Sequence, residues 1–365
     1  MIIAGGGTGG HLFPGIALAE EFLKRDGNNR VLFIGTKKGL EAKILGELGF
    51  ALQTVEVKGI KGRGPIRSAE ALLGIPKSLI QSFRIIRQFS PDLVIGVGGY
   101  ASGPAVIAAH WMGIKTALAE QNALPGLTNR ILGRFVDRVF LSFSETRKWF
   151  RQEKTSVTGN PIRTRFFSDK KSLPRRQDFF TLLVFGGSQG AHAINQNMMA
   201  ALEHLKPMQG RLKIIHQTGA RDLEEVRKAY RAAGMIAEAL PFIMDMASAY
   251  QSADLLICRA GATSIAEITA SGKAAILIPF PHAVEDHQTK NAEVLVRAGA
   301  AEMIPERELS GQRLAHAVRR YAEDPELIRR MEERSAGLGH ICAAPDIIDA
   351  CMTLVNAQHG AGCIS

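Results

Sequence analysis

Two glycine-rich turns constrain this chain more than any other feature. Residues 5–10 (GGGTGG) follow the apolar run 1–4, and residues 186–190 (GGSQG) follow the apolar run 181–185, about half a chain later. A short apolar run that passes through glycines into an amphipathic stretch opens a βαβ unit, because glycine permits a tight turn and close approach of a ligand to the backbone. The same punctuation continues in each half. Residues 31–34, 93–97 and 115–119 read as further strands of the first half, with helices predicted over 13–25 and 39–48. Residues 212–216, 255–258 and 274–278 read as strands of the second, with helices over 195–204, 222–233 and 263–271. The fold class this implies is α/β: two Rossmann-like doubly wound domains whose strand-end loops face one another across a cleft. The stretch 158–178, polar and proline-containing in its second part, reads as their connection.

Charge and cysteine usage narrow the class. The four cysteines, Cys258, Cys342, Cys351 and Cys363, form no CxxC pair, so neither a disulfide framework nor a zinc site is expected and the chain reads as cytosolic. The opening residues lack a basic and a long apolar segment, so no secretory signal is expected. Residues 93–114 carry no charge and are long enough to span a bilayer, but Gly96, Gly98, Gly99 and Gly103 interrupt them as a strand, loop and helix would. The net charge of +10 is uneven: residues 1–160 hold 21 Lys and Arg against 12 Asp and Glu, and the remainder 24 against 23. The first half is therefore expected to meet something anionic, a plain soluble basic protein being the alternative. Residues 61–90 focus that expectation. There Leu72, Leu73, Ile75, Leu79, Ile80 and Phe83 are interleaved with Arg67, Lys77, Arg84 and Arg87, and Trp111 lies just beyond. Such a surface suits an anionic membrane interface, or else a helix packed on the core with solvated arginines. With 6% aromatics and no stacking pattern, nucleic acid is not expected as a partner.

Residues 5–11 formally contain GxGxxG, but the second strand runs into Gly35-Thr36-Lys37-Lys38 and supplies no acid for a ribose. A 2'-phosphate on Lys37 or Lys38 keeps an NADP-dependent oxidoreductase as one reading. His11 stands where the following helix begins. It is either a general base or the group that hydrogen-bonds the loop into shape, and spacing does not separate the two. In the second half Ser188 adds a hydroxyl to a phosphate-sized turn, and Glu267 falls where a carboxylate accepts from a ribose diol or pairs with the helix dipole. There is no DxD, HExxH or GxSxG. No metal or cofactor is expected, and a diphosphate would rest on helix termini and Arg163.

As a set, the motifs resemble one family. GGTGGHLFPGIALA, GGYASGP, EQNALPGLTN, TGNPIR, GGSQGA, HQTG, PFIMDMASAY, RAGATSIAE and HQTKNA are similar, in this order, to those of the MurG family of peptidoglycan N-acetylglucosaminyltransferases, over residues 4 to about 300. The resemblance implies a GT-B enzyme with an acceptor-binding, membrane-associating domain at 1–160 plus about 342–358, and a donor-binding domain at 161–341. It implies inverting transfer of N-acetylglucosamine from UDP-N-acetylglucosamine to the C4 hydroxyl of lipid I, making lipid II at the cytoplasmic face of the bacterial inner membrane. Other wall-synthesis proteins would be its neighbours there. Carried onto this sequence, donor contacts fall on Thr8, Gly9, Gly10, Asn122, Arg163, Ser188, Ile243, Ala262, Thr263, Ser264, Ile265, Ala266, Glu267 and Gln288. His11 becomes the favoured base and Glu120 its competitor. Ser264 stands where the family usually shows threonine and keeps the hydroxyl. The rival readings are a UDP-N-acetylglucosamine 2-epimerase on a related fold, the oxidoreductase, and a membrane scaffold without activity.

Overall fold

A computed structural model of the chain describes residues 1–36, 41–57, 74–163, 179–187 and 189–361. The chain divides into two compact units, one holding residues up to Arg163 together with the segment from Ile341 onward, the other the residues between. Each is built on one parallel sheet. The first has strands β1 (Ile2–Ala4), β2 (Leu32–Gly35), β3 (Ala51–Thr54), β4 (Leu93–Gly96), β5 (Lys115–Glu120), β6 (Arg138–Leu141) and β7 (Thr155–Val157), in the order β3-β2-β1-β4-β5-β6-β7. The second has β8 (Phe180–Phe185), β9 (Leu212–Gln217), β10 (Ile236–Leu240), β11 (Leu255–Cys258), β12 (Ala274–Leu277) and β13 (Glu302–Met303), in the order β10-β9-β8-β11-β12-β13. In both sheets the order reverses beside the first strand, between β1 and β4 and between β8 and β11. Ligands of open α/β sheets bind at that reversal, outside the carboxyl ends of the strands.

Strands β1, β2, β4, β11 and β12 are apolar and buried throughout because helices cover both faces, whereas β3, β10 and β13 at the sheet edges carry polar residues. Along β1, Ile3 joins one buried cluster, with Leu12 and Ile16, while Ile2 and Ala4 join the other, with Val106 and Ala109. Helix Gly9–Arg25 lies on the first of these faces and helix Ser102–Trp111 on the second. The carboxyl-terminal helix Ala343–Ala361 returns to the first unit by the same logic. Ala344, Ile347, Ile348 and Cys351 are buried in the cluster of Met1, Ile3 and Ile16, and Arg25 pairs with Asp349 at 3.0 Å on its outer side.

Helix boundaries differ from the sequence reading in instructive places. The first helix starts at Gly9, four residues before the expected Phe13, because Thr8 is extended and its carbonyl accepts from the amides of both His11 and Leu12. His11 thus lies in the first helical turn. Helices Gly311–Glu323 and Pro325–Gly337 were not anticipated, although each has a readable start: Ser310 Oγ accepts from the amide of Arg313, and Asp324 Oδ1 from that of Leu327. Strands β3, β6, β7, β10 and β13 were also missed. The described residues contain no helix long and apolar enough to cross a membrane. Lys37, Lys38, Leu72, Leu73, Ser188 and most of the expected connection lie outside the described residues.

Candidate active site

In the first unit, the loops after β1, β4 and β5 meet at the topological reversal. The loop after β4 gives way to the imidazole. Gly98 has φ +91°, and a Cβ there would lie 2.7 Å from His11 Nδ1, so only glycine leaves the ring its place. From the end of β5, Gln121 supplies the partner. Its Oε1 stands 3.3 Å from His11 Nδ1, while its Nε2 donates to the Ala119 carbonyl at 2.9 Å. Because the amide nitrogen is committed to that carbonyl, the amide oxygen faces the ring. Nδ1 must then carry the proton, and Nε2 the lone pair.

Glu120, the neighbouring residue, is bonded within its own turn. It is 2% exposed, and its carboxylate accepts four hydrogen bonds. These come from the amide of Asn122 (2.9 Å), Asn122 Nδ2 (3.3 Å), the amide of Gly126 (3.3 Å) and Asn129 Nδ2 (2.8 Å). The carboxylate organises the EQNALPGLTN turn. Burial pushes its pKa up, with those hydrogen bonds opposing. Near the other end of the site, the Arg163 guanidinium lies 5.0 Å from the ring centroid of Phe13, one turn of helix beyond Gly9.

A carboxylate does reach the first glycine loop, from a position the dinucleotide pattern does not specify. Glu41, at the start of helix Glu41–Glu47, accepts from the amide of Gly7 at 2.8 Å and is 1% exposed. It is held inside the loop rather than offered to a ribose; Lys37 and Lys38, on which the NADP reading rests, lie outside the described residues.

In the second unit, the turn after β8 is tied to the end of β9. Gly190 has φ +74°, and a Cβ there would overlap the Thr218 carbonyl, so this approach also requires glycine. Opposite it, helix Ala262–Ser271 opens after Gly261 with no side-chain cap. The first-turn amides of a helix have no intrahelical acceptor. Ile265 is 3% exposed and its amide bonds the Gly261 carbonyl, so its side chain packs the helix. Ala262 is likewise buried and can contribute backbone alone. Glu267 Oε2 accepts from the hydroxyl of buried Tyr250 at 3.3 Å. Gln288 Oε1 accepts from the amide of Phe280 at 3.0 Å, which turns its NH2 the other way as a donor. The Ile243 amide donates to Gln217 Oε1 at 2.7 Å, leaving its carbonyl as the group that segment presents.

Behind these loops runs a buried chain of hydrogen bonds that the sequence did not disclose. Asn195 Nδ2 donates to Asp222 Oδ2 (2.8 Å) and to the Thr218 carbonyl (2.9 Å), so its Oδ1 is the acceptor for His216 Nε2 (3.0 Å). His216 Nδ1 then accepts from Tyr230 at 2.7 Å. His192 Nδ1 meets Asp222 at 2.9 Å. Burial tends to raise the Asp222 pKa, but the hydrogen bonds from His192 and Asn195 outweigh it and hold the carboxyl below its usual range.

The candidate membrane helix, Ile75–Phe89, turns a small-residue face inward: Ser78, Ser82 and Ile86 are buried. Because serines fill the contact, Ile75, Leu79 and Phe83 are left half-buried and Ile80 is 52% exposed. Phe83 stacks on Trp111 at 6.2 Å between centroids, and Trp111 is 63% exposed. Arg84 is exposed, whereas Lys77 is engaged with Glu56 at 2.7 Å.

Two parallel sheets, each with a glycine loop and a helix amino terminus at its reversal, are the build of a GT-B glycosyltransferase. The chain superposes on the crystal structure of Acinetobacter baumannii MurG with a TM-score of 0.78 and 31% identity, covering 96% of this chain and 98% of that one. The Neisseria meningitidis UDP-GlcNAc 2-epimerase shares the fold, with a TM-score of 0.65 over 96% of this chain and 98% of its own, at 13% identity. The glycosyltransferase family 28 N-terminal domain matches residues 1–141 and the C-terminal domain residues 181–348. The chain belongs to glycosyltransferase family 28. It is 64% identical, over 97% of its length and 98% of the relative's, to the UDP-N-acetylglucosamine--N-acetylmuramyl-(pentapeptide) pyrophosphoryl-undecaprenol N-acetylglucosamine transferase of Syntrophus aciditrophicus. It is 50% identical to the protein of the same name from Geobacter metallireducens, over 97% and 98%.

Proposed function

We propose that this chain transfers N-acetylglucosamine from UDP-N-acetylglucosamine to the C4 hydroxyl of the N-acetylmuramoyl unit of lipid I, making lipid II with inversion at the anomeric carbon. The observation that carries the reading is the full-length 64% identity to a transferase of that name. The state of His11 supports it, a half-buried imidazole fixed with its lone pair on Nε2. In the reaction Nε2 takes the proton of the acceptor hydroxyl as its oxygen bonds to the anomeric carbon, and the bond to the diphosphate breaks with its electron pair leaving on UDP. Glu120 is the weaker base, since four donors already occupy its carboxylate and deprotonating a hydroxyl would require it to leave them.

The developing charge on UDP falls to fixed dipoles. We assign that task to the glycine turn containing Ser188, to the first-turn amides of Ala262, Thr263 and Ser264, and to Arg163, as donors that need no reorganisation during the reaction. Thr8, Gly9 and Gly10 supply the corresponding helix amino terminus of the first unit. Glu267, steadied by Tyr250, takes the ribose diol. The Ile243 carbonyl suits the N3–H of uracil, and the NH2 groups of Gln288 and Asn122 suit sugar oxygens. No divalent metal enters this scheme. The test is transfer of labelled N-acetylglucosamine to a lipid I analogue in EDTA, with product expected at the rate seen without chelator; loss of product that magnesium restores would sink the metal-independent part.

The basic first unit is proposed to sit on the anionic cytoplasmic face of the inner membrane through Ile80, Phe83, Arg84 and Trp111. Ile80 and Trp111 are mostly exposed, so Ile80→Glu with Trp111→Glu is expected to leave folding intact although the stacking of Phe83 on Trp111 is lost. Each forfeits roughly 2 kcal/mol of apolar burial, and binding to anionic vesicles should fall at least about tenfold. Unchanged co-sedimentation would refute this surface.

A further inference from the structure

Gln217 ends β9, the strand between β8 and β10, and its Cα pairs with Phe185 on one side and Leu240 on the other. It therefore stands between two loops, the glycine turn that continues from Phe185 and the segment that continues from Leu240 to Ile243. Its side chain joins them. Nε2 donates to the Gly187 carbonyl at 2.7 Å, and Oε1 accepts from the Ile243 amide at 2.7 Å. The residue is 1% exposed, so water does not compete for either bond. Only a glutamine meets these demands together. Asparagine is shorter by a methylene, and a carboxylate would turn an acceptor on the Gly187 carbonyl.

We propose that Gln217 is a positioning residue of the donor site, a strut that fixes the spacing between the loop for the diphosphate and the loop for the nucleobase. The inference rests on the donor-site reading above. A nucleoside diphosphate spans both loops and meets them already spaced. A nucleoside, or pyrophosphate, meets one loop and gains nothing from the strut.

The experiment compares the full-length protein with Gln217→Leu and with the isosteric Gln217→Glu, the second serving if the first misfolds. Inhibition constants are measured for UDP, uridine and inorganic pyrophosphate, with KM for donor and acceptor and a circular-dichroism melt as control. With both buried bonds removed in Gln217→Leu, and the one to Gly187 in Gln217→Glu, UDP inhibition and donor KM should each worsen about tenfold or more. Uridine and pyrophosphate should stay within about threefold, as should acceptor KM and kcat at saturating donor. Unchanged UDP inhibition in a folded variant overturns the proposal, and so does an equal loss for all three ligands, which would mark Gln217 as local packing. Failure of the donor-site reading itself would show separately, as wild-type protein that UDP does not inhibit.

Discussion

His11→Ala is expected to lower kcat by about 10²–10⁴-fold while leaving donor KM within a few-fold of wild type, the range typical of a lost general base. The split follows from position. The imidazole is held by Gln121 and by the space at Gly98, both in the first unit, whereas the groups assigned to the uracil and ribose belong to the second. Glu120 gives the contrast. Replacing it leaves the amide donors of Asn122, Gly126 and buried Asn129 without their acceptor, so Glu120→Ala should damage stability, by about 3 kcal/mol, before it damages chemistry selectively. Steady-state kinetics on both variants, with melts, separates the roles. Near-normal turnover in His11→Ala would remove His11 as the base.

The second large effect concerns acid stability. His216 is fully buried and neutral, its Nε2–H given to Asn195 and its Nδ1 accepting from Tyr230, and burial pulls its pKa from 6.5 down to about 3, with the Asp222 charge opposing. In the unfolded chain the same imidazole takes a proton near its ordinary pKa. The unfolded state therefore binds more protons between pH 6.5 and about 3, and stability falls as pH falls through that window, by about 1.4 kcal/mol per unit and roughly 5 kcal/mol in all. The depressed Asp222 adds its own loss only below about pH 3.8. Denaturant unfolding of the second unit at pH 7, 6, 5 and 4 should show this slope in the wild type. His216→Gln should be less stable at pH 7 and flatter below it; identical slopes would show that His216 is not the titrating group.

What the sequence disclosed was local. The glycine turns, the strands before them and the helix starts are written within a few residues of one another, and the set of motifs marked both reversal points. The missed strands were short or lacked strand character. β10, IAEAL, is made of good helix formers and becomes a strand through its register with β9. The side-chain partnerships were out of reach for a different reason. Gln121 meets His11 across 110 positions and Gln217 meets Gly187 across 30, so no window of sequence contains both partners. The start of the first helix shows the converse. Gly9 and Gly10 argued for a loop, and backbone bonding to Thr8 together with burial of Leu12 and Ile16 overrode their propensity. The helix Ile75–Phe89 was legible as amphipathic, but the side that faces inward was not, because serines rather than leucines fill its contact.

The most direct test of the account is the linkage in the product. Purified protein is given UDP-N-acetylglucosamine, whose sugar is α-linked, and a lipid I analogue, and the disaccharide is examined by NMR. The expected result is one β-1,4 bond formed per UDP released, absent in His11→Ala on the same timescale. An α-linked product, or a 2-epimer of the donor sugar with no disaccharide, would contradict single displacement by a His11-activated hydroxyl.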